Sequence, residues 1–306
     1  MAAQSPRPFL IPPQSPSGLP KIADVAGQPP RVPTGVPDFD YLTGGVPSGS
    51  VILLWGEAGA GHQEFALTSA AHLMLHYDFP RLHEFYLGSA KGPFLYPEGV
   101  VYVSTSRSKA QVLDEVKGSF EATYGEVLGR HLTFIDLSRE YFQDTVVPSA
   151  WAAVPSPLLG ARSPTPGADA GPLRALADGI DQAAGRQLVI IDSLTDLLVR
   201  RGVEASDLLT LLKGLRRRAK EWNAIVYLIL SQGVAPTAVE QAVIDSVDGV
   251  LHFSWTTSPS HSHRQRTMLI EKFMPVLSRV PAEYHGRFVI RIGAANGLVT
   301  TQYERV

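Results

Sequence analysis

The stretch Gly56-Glu57-Ala58-Gly59-Ala60-Gly61-His62-Gln63 decides how this chain is read. Its glycines fall on the skeleton of a phosphate-binding P-loop, G-x-x-x-x-G-K-[ST]. In that pattern backbone N–H groups point at phosphate, the Lys reaches the β- and γ-phosphates, and the hydroxyl holds Mg²⁺. Gly56 and Gly61 occupy the two glycine positions, but His62 stands where the Lys belongs and Gln63 where the hydroxyl belongs. The cradle is written; the cation and the metal ligand are not.

Working outward, Val51-Ile52-Leu53-Leu54-Trp55 is a short apolar run that reads as a buried strand entering the loop. Residues 64–77 follow with apolar residues at helical spacing. The same alternation continues with a strand at 100–103, a helix at 108–123, a strand at 132–135 and a helix at 173–184. Strand 188–192, helix 205–221 and strand 225–230 complete it. Strands apolar throughout, separated by helices, predict a mostly parallel, twisted sheet with helices on both faces. Beyond residue 249 the pattern changes to short strands at 250–254, 266–272, 288–292 and 298–301, with Asn296-Gly297 as a hairpin turn. The expected fold class is therefore α/β with a C-terminal antiparallel extension, as one domain spanning residues 31–306.

Two segments stand apart. Residues 1–30 hold eight prolines, a density that blocks helices and sheet ladders, so an extended or disordered tail is expected. Its apolar cluster Phe9-Leu10-Ile11 reads either as a contact with its own domain or as a docking peptide for a neighbouring subunit. Residues 146–172, rich in Pro, Ala, Gly and Ser, read as a flexible surface excursion.

Composition narrows the function classes. The chain has 306 residues, 44% of them hydrophobic, and a net charge of −2, which gives no general attraction to nucleic acid or anionic membrane. It has no cysteine, so disulfides, thiolate metal sites and Cys nucleophiles are out, and a reducing compartment fits. No apolar run reaches the roughly 18–20 residues of a membrane span. A cytoplasmic location and no membrane partner are the expectations. His261-Ser262-His263 lacks a third ligand, and no metal site is expected there.

About 130 positions after the loop, Leu188-Val189-Ile190-Ile191 ends in Asp192. A carboxylate at the end of a buried strand is the Walker B arrangement, which supports Mg²⁺; the alternative is a helix N-cap, and both can hold. Ser231 and Gln232 end the strand at 225–230 and read, from the residues alone, as a capped strand end entering a loop. The segment 233–247, read as a loop, carries Glu240 and Asp245 and no Lys or Arg, which argues against nucleic acid. Lys213, Arg216, Arg217, Arg218 and Lys220 form a basic run on helix 205–221, read first as a solvated face opposite Leu208, Leu212 and Leu215.

The lead-in Thr34-Gly35-Val36-Pro37-Asp38-Phe39-Asp40-Tyr41-Leu42-Thr43-Gly44-Gly45-Val46-Pro47-Ser48-Gly49-Ser50 resembles that of the KaiC/RadA-like branch of the RecA superfamily of P-loop ATPases. Ile191-Asp192-Ser193-Leu194-Thr195 resembles that branch's Walker B segment and Asp248-Gly249-Val250 the opening of a later strand. The resemblance covers about residues 33–302. It implies a RecA-like core, ATP with Mg²⁺ as ligand, a sensor at Ser231-Gln232 and assembly into oligomers. It also implies that Arg264, Arg266 and Lys272 lie on the strand presented to an adjacent protomer.

The departures run one way. Besides His62 and Gln63, the activating Glu after strand 100–103 is replaced in Ser104-Thr105-Ser106-Arg107, and Met274 stands in place of the Arg that follows Lys272. Phosphoryl transfer is positioning and charge neutralisation, and one lost electrostatic donor costs on the order of 10²–10³ in rate. The leading expectation is a catalytically degenerate, regulatory or scaffolding protein with weak or no ATP binding, Mg²⁺ entering only with nucleotide. It would form a homo-oligomer, or a hetero-oligomer with an active paralogue. The alternatives are a working ATPase with His62 in the Lys role and a DNA recombination or repair accessory factor.

Overall fold

The computed structural model describes residues 29–87, 92–152, 171–257, 264–280 and 286–304. Most of the proline-rich tail, the central part of the 146–172 segment and His261-Ser262-His263 lie outside the described residues.

The lead-in comes first. Strand β1 (Arg31–Val32) pairs antiparallel with β2 (Val46–Pro47) around helix α1 (Pro37–Thr43). The resemblance motif is scaffolding: the buried Asp40 carboxylate accepts the N–H of Thr34 at 2.7 Å, its hydroxyl at 2.8 Å and the N–H of Gly35 at 2.8 Å. Arg31 closes the other end of α1 by donating to the carbonyls of Thr43, Gly44 and Gly45. The turn into the next strand presses on a later helix. Gly49 has φ +73°, and a Cβ there would lie 2.6 Å from the Lys220 Cα, so only glycine fits.

The strands then follow the expected alternation: β3 (Val51–Gly56), β4 (Gly99–Ser104), β5 (Leu132–Asp136), β6 (Gln187–Asp192), β7 (Ile225–Ser231), β8 (Gly249–Thr257), β9 (Arg264–Lys272), β10 (Arg287–Gly293) and β11 (Gly297–Glu304). They form one nine-stranded sheet in the order β11-β10-β9-β8-β3-β7-β6-β4-β5. From β8 to β5 neighbouring strands are parallel; β9, β10 and β11 join antiparallel. The helices are α2 (His62–Asp78), α3 (Pro80–Leu87), α4 (Lys109–Ser119), α5 (Ala122–His131), α6 (Ser138–Phe142), α7 (Pro172–Gln182), α8 (Leu194–Val199), α9 (Ala205–Trp222), α10 (Thr237–Ser246) and α11 (Met274–Leu277).

Successive strand residues feed opposite faces. Ile52, Leu54, Tyr102, Ile190 and Tyr227 pack under α1 to α5, whereas Leu53, Val103, Ile191 and Leu228 pack under α7 to α10. The extension buries Phe253, Met268, Phe288 and Ile290 mainly on the first of these faces. That one-sided burial is usual for antiparallel strands.

Two expectations are corrected. The helix expected over 108–123 is two, because Phe120 leaves α4 in an extended conformation before α5 begins. The segment 233–247 is largely helix α10 rather than loop. Its buried Val243 sits between Glu240 and Ser246 on one face, and Glu240 folds back to accept the Gly233 N–H at 2.7 Å.

Candidate functional site

The parallel strands bring four chain segments together at their C-terminal ends: Gly56 of β3, Ser231 of β7, Asp192 of β6 and Ser104 of β4. In open α/β sheets this edge is where ligands bind. The glycine loop spans β3 to α2, and Gly61 caps α2 with φ +116°. The loop closes on itself through Ala60 N–H donating to the Glu57 carbonyl at 3.0 Å. Among the described residues, the N–H groups of Ala58, Gly59, Gly61, His62 and Gln63 have no protein acceptor, as a phosphate cradle requires.

The same chain grips the outside of the loop. Glu57 turns away from the cradle: its N–H donates to the Phe253 carbonyl at 3.1 Å and its carboxylate accepts the Trp255 N–H at 3.2 Å. The Trp255 indole N–H donates to the Ala58 carbonyl at 3.2 Å, and Arg266 Nε to the Gly59 carbonyl at 2.9 Å. Arg264 and Arg266 both lie over the Trp255 ring, at 4.7 and 4.4 Å from its centroid. Lys272 donates to the carbonyls of Ile244, Asp245 and Val247, finishing α10. Within the single chain, all three basic residues expected at a subunit boundary have partners of their own.

His62 does not reach outward as a Lys would. It is 7% exposed, its ring lies 6.2 Å from that of Phe253, and its Nδ1 is buried without a hydrogen-bond partner among the described residues. Burial lowers its pKa, outweighing the pull of Glu64 and Asp192, so the ring is neutral at pH 7.

Asp192 is already paired. Its Oδ2 accepts from the Tyr102 hydroxyl at 2.5 Å and is ion-paired with Arg107, whose Nη2 also donates to the Tyr102 oxygen at 2.7 Å. The other arm of the Arg107 guanidinium is paired with Glu115 of α4. The Gln63 side-chain amide lies against the same guanidinium, and in the amide orientation that satisfies both groups its oxygen accepts from Nη1 and Nη2. Burial lowers the Arg107 pKa, but Tyr102, Asp192 and Glu115 outweigh it and hold the guanidinium charged. Two positions that would support a hydrated Mg²⁺, the loop's second polar residue and the strand-end carboxylate, thus converge on a side-chain cation. Mg²⁺ needs octahedral oxygen ligands at about 2.0–2.1 Å. An arginine seated between Gln63 and Asp192 does not fit that requirement.

The remaining positions are accounted for. Ser193, not Asp192, caps α8, its Oγ accepting the Asp196 N–H at 3.2 Å. Ser104 Oγ accepts the Arg107 N–H at 2.9 Å and shapes the turn that delivers the guanidinium. Ser231 donates its N–H to Thr195 Oγ1 at 2.8 Å; Gln232 donates its own to the Gly56 carbonyl at 2.8 Å and contacts His252 at 3.1 Å. Both sit beside the loop. Sequence reasoning saw Arg107 only as the occupant of a missing base position.

No family model matches the sequence, and no curated protein does. Among solved structures, the fold is similar to that of a KaiC-like protein from the hyperthermophilic archaeon Pyrococcus horikoshii. The TM-score is 0.57 and the identity 19%, over 89% of this chain and 99% of that one. The architecture is a RecA-like core.

Proposed function

We propose that this chain is a catalytically degenerate RecA-fold protein that acts as a regulatory or scaffolding subunit. It keeps the shape of a phosphate loop and has exchanged the metal-dependent chemistry for an internal ion pair. The observation that carries this reading is the Arg107 guanidinium held between Asp192, Tyr102, Glu115 and Gln63. A working site needs a mobile cation at the phosphates, a metal and a carboxylate to orient water; here a buried neutral imidazole, an arginine and a serine stand in their places. The unpaired loop amides support weak binding of an anion such as ATP, without Mg²⁺ improving it.

We place the protein in the cytoplasm, as a homo-oligomer or alongside an active paralogue, and not on nucleic acid. The basic run of α9 supports the last point, because Arg216 and Lys220 pair with Asp248, Arg218 with Asp181 and Glu221, and Arg217 with Glu221.

Calorimetric titration with ATP, with and without Mg²⁺, together with a phosphate-release assay, tests the reading. The expected result is weak or absent binding that Mg²⁺ leaves unchanged and no release above background. Mg²⁺-dependent binding in the micromolar range accompanied by turnover would overturn it.

A further inference from the structure

Trp255 and two arginines form a charged aromatic patch at the rim of the glycine loop. Trp255 pairs with Arg266 across β8 and β9, and Thr257 with Arg264, so both arginines stand on the strand face that carries the indole. Their guanidinium carbons lie over the one ring, at 4.7 and 4.4 Å from its centroid. Stacking holds a guanidinium by its face and leaves its N–H edges free to grip an anion. Arg266 spends only Nε, on the Gly59 carbonyl, and Arg264 makes no hydrogen bond among the described residues.

Neither arginine is ion-paired among the described residues, not even with Glu57, whose carboxylate accepts the Trp255 N–H. By contrast Arg107, Arg130, Arg174, Arg186 and the three arginines of α9 each have a carboxylate. Two like charges gathered on one ring repel each other, and a bridging anion offsets that repulsion. The patch also adjoins unspent donors. The Trp255 indole holds the Ala58 carbonyl and Arg266 the Gly59 carbonyl, while the N–H groups of the same two loop residues have no protein acceptor. On the other side of the cradle Arg107 is flanked by Asp192 and Glu115, Glu64 stands in the first turn of α2, and His62 is neutral. The uncompensated positive charge is therefore on the Trp255 side.

Resting on the metal-free cradle put forward above, we propose that Arg264 and Arg266 supply the charge that a lysine and Mg²⁺ supply in the P-loop pattern. The ligand is a compact polyphosphate-type oxyanion that bridges their N–H edges and the amides of Ala58 and Gly59. Guanidinium forks match phosphate oxygens two at a time, which suits an anion arriving without a metal.

The full chain, titrated calorimetrically with inorganic triphosphate in EDTA at about 50 mM salt, should bind it, and more weakly as salt rises. Arg264→Gln with Arg266→Gln should weaken binding at least about tenfold, because charge-assisted contacts are lost. Arg81→Gln with Arg291→Gln removes the same charge from two other exposed positions and should change binding less than about twofold. Arg266 also holds the loop, so Arg264→Gln alone separates ligand contact from loop support. It should weaken binding about threefold or more, with Arg264→Lys restoring part of the loss and circular dichroism unchanged in both. No binding by the native chain, an equal loss in the two double variants, or full binding by Arg264→Gln would overturn the proposal and leave the degenerate reading intact. Tetraglutamate binding more tightly than triphosphate would overturn it too, by making the patch a dock for acidic peptide. Triphosphate binding that requires Mg²⁺ would overturn the metal-free cradle and the proposal with it.

Discussion

Asp192 ends a buried strand with a charge, and a charge in such a place needs a partner. Here the partner is covalently part of the chain. On the proposed reading, His62→Lys with Gln63→Thr alone should leave Mg²⁺-dependent ATP binding weak. Adding Arg107→Glu, which frees Asp192 and supplies a carboxylate, should strengthen it by at least about tenfold in a calorimetric titration. If the double substitution alone matches the triple, Arg107 does not block the site. Removing Arg107 has a structural cost as well. Arg107→Ala leaves the largely buried Asp192 without its cation, and urea unfolding should show a loss of about 2 kcal/mol, partly recovered when Asp192→Asn is added. The strand–glycine loop–helix unit around Gly56 and Gly61 was legible in the sequence because the loop is local and its pattern short. The role of Arg107 was not, since its partner lies 85 positions away and only the sheet register brings the two together.

Between elements, the tightest polar joint is His72 of α2. Its Nδ1 bonds the Gly35 carbonyl at 2.6 Å and its Nε2 meets the Tyr124 hydroxyl of α5, while its ring stacks on Tyr86 of α3. One donor and one acceptor suit the neutral ring, and burial lowers the pKa to about 4. The unfolded chain takes up this proton below about 6.5 and the folded one only below about 4. Stability is therefore fully present above pH 6.5 and is lost as pH falls through that window, by up to about 3 kcal/mol. Asp40, pushed up to about 7 by burial, tilts the other way. The measurement is thus the difference in urea stability between the native chain and His72→Gln, which should shrink from pH 7 to pH 4. The lead-in offers a second joint. Asp40→Ala strands two backbone N–H groups and a hydroxyl and should cost about 3 kcal/mol at pH 8, read by the same unfolding assay. The lead-in's density of pattern was visible beforehand, but its meaning was structural: Asp40 and Arg31 tie off a helix of seven residues. Helix α10 escaped the periodicity reading because it is short, begins after Pro236 and buries few of its residues.

At the scale of the molecule, the fold was legible because each central strand is apolar on both faces, a pattern only a covered parallel sheet explains. The pairing of surface charges was not, as it depends on which helices meet. Because Arg216, Arg217, Arg218 and Lys220 of α9 pair with Asp181, Glu221 and Asp248, leaving Lys213 as its one cation without an ion pair among the described residues, a gel-shift titration at about 50 mM salt should show no duplex DNA complex below micromolar protein. A tight, salt-sensitive complex would contradict that neutralisation. Trp255 is clasped by two guanidinium groups and hydrogen-bonded to the loop it covers. Its indole is thus an intrinsic optical gauge: any anion entering the cradle should shift its emission, and Trp255→Phe should erase that signal against the background of the other three tryptophans.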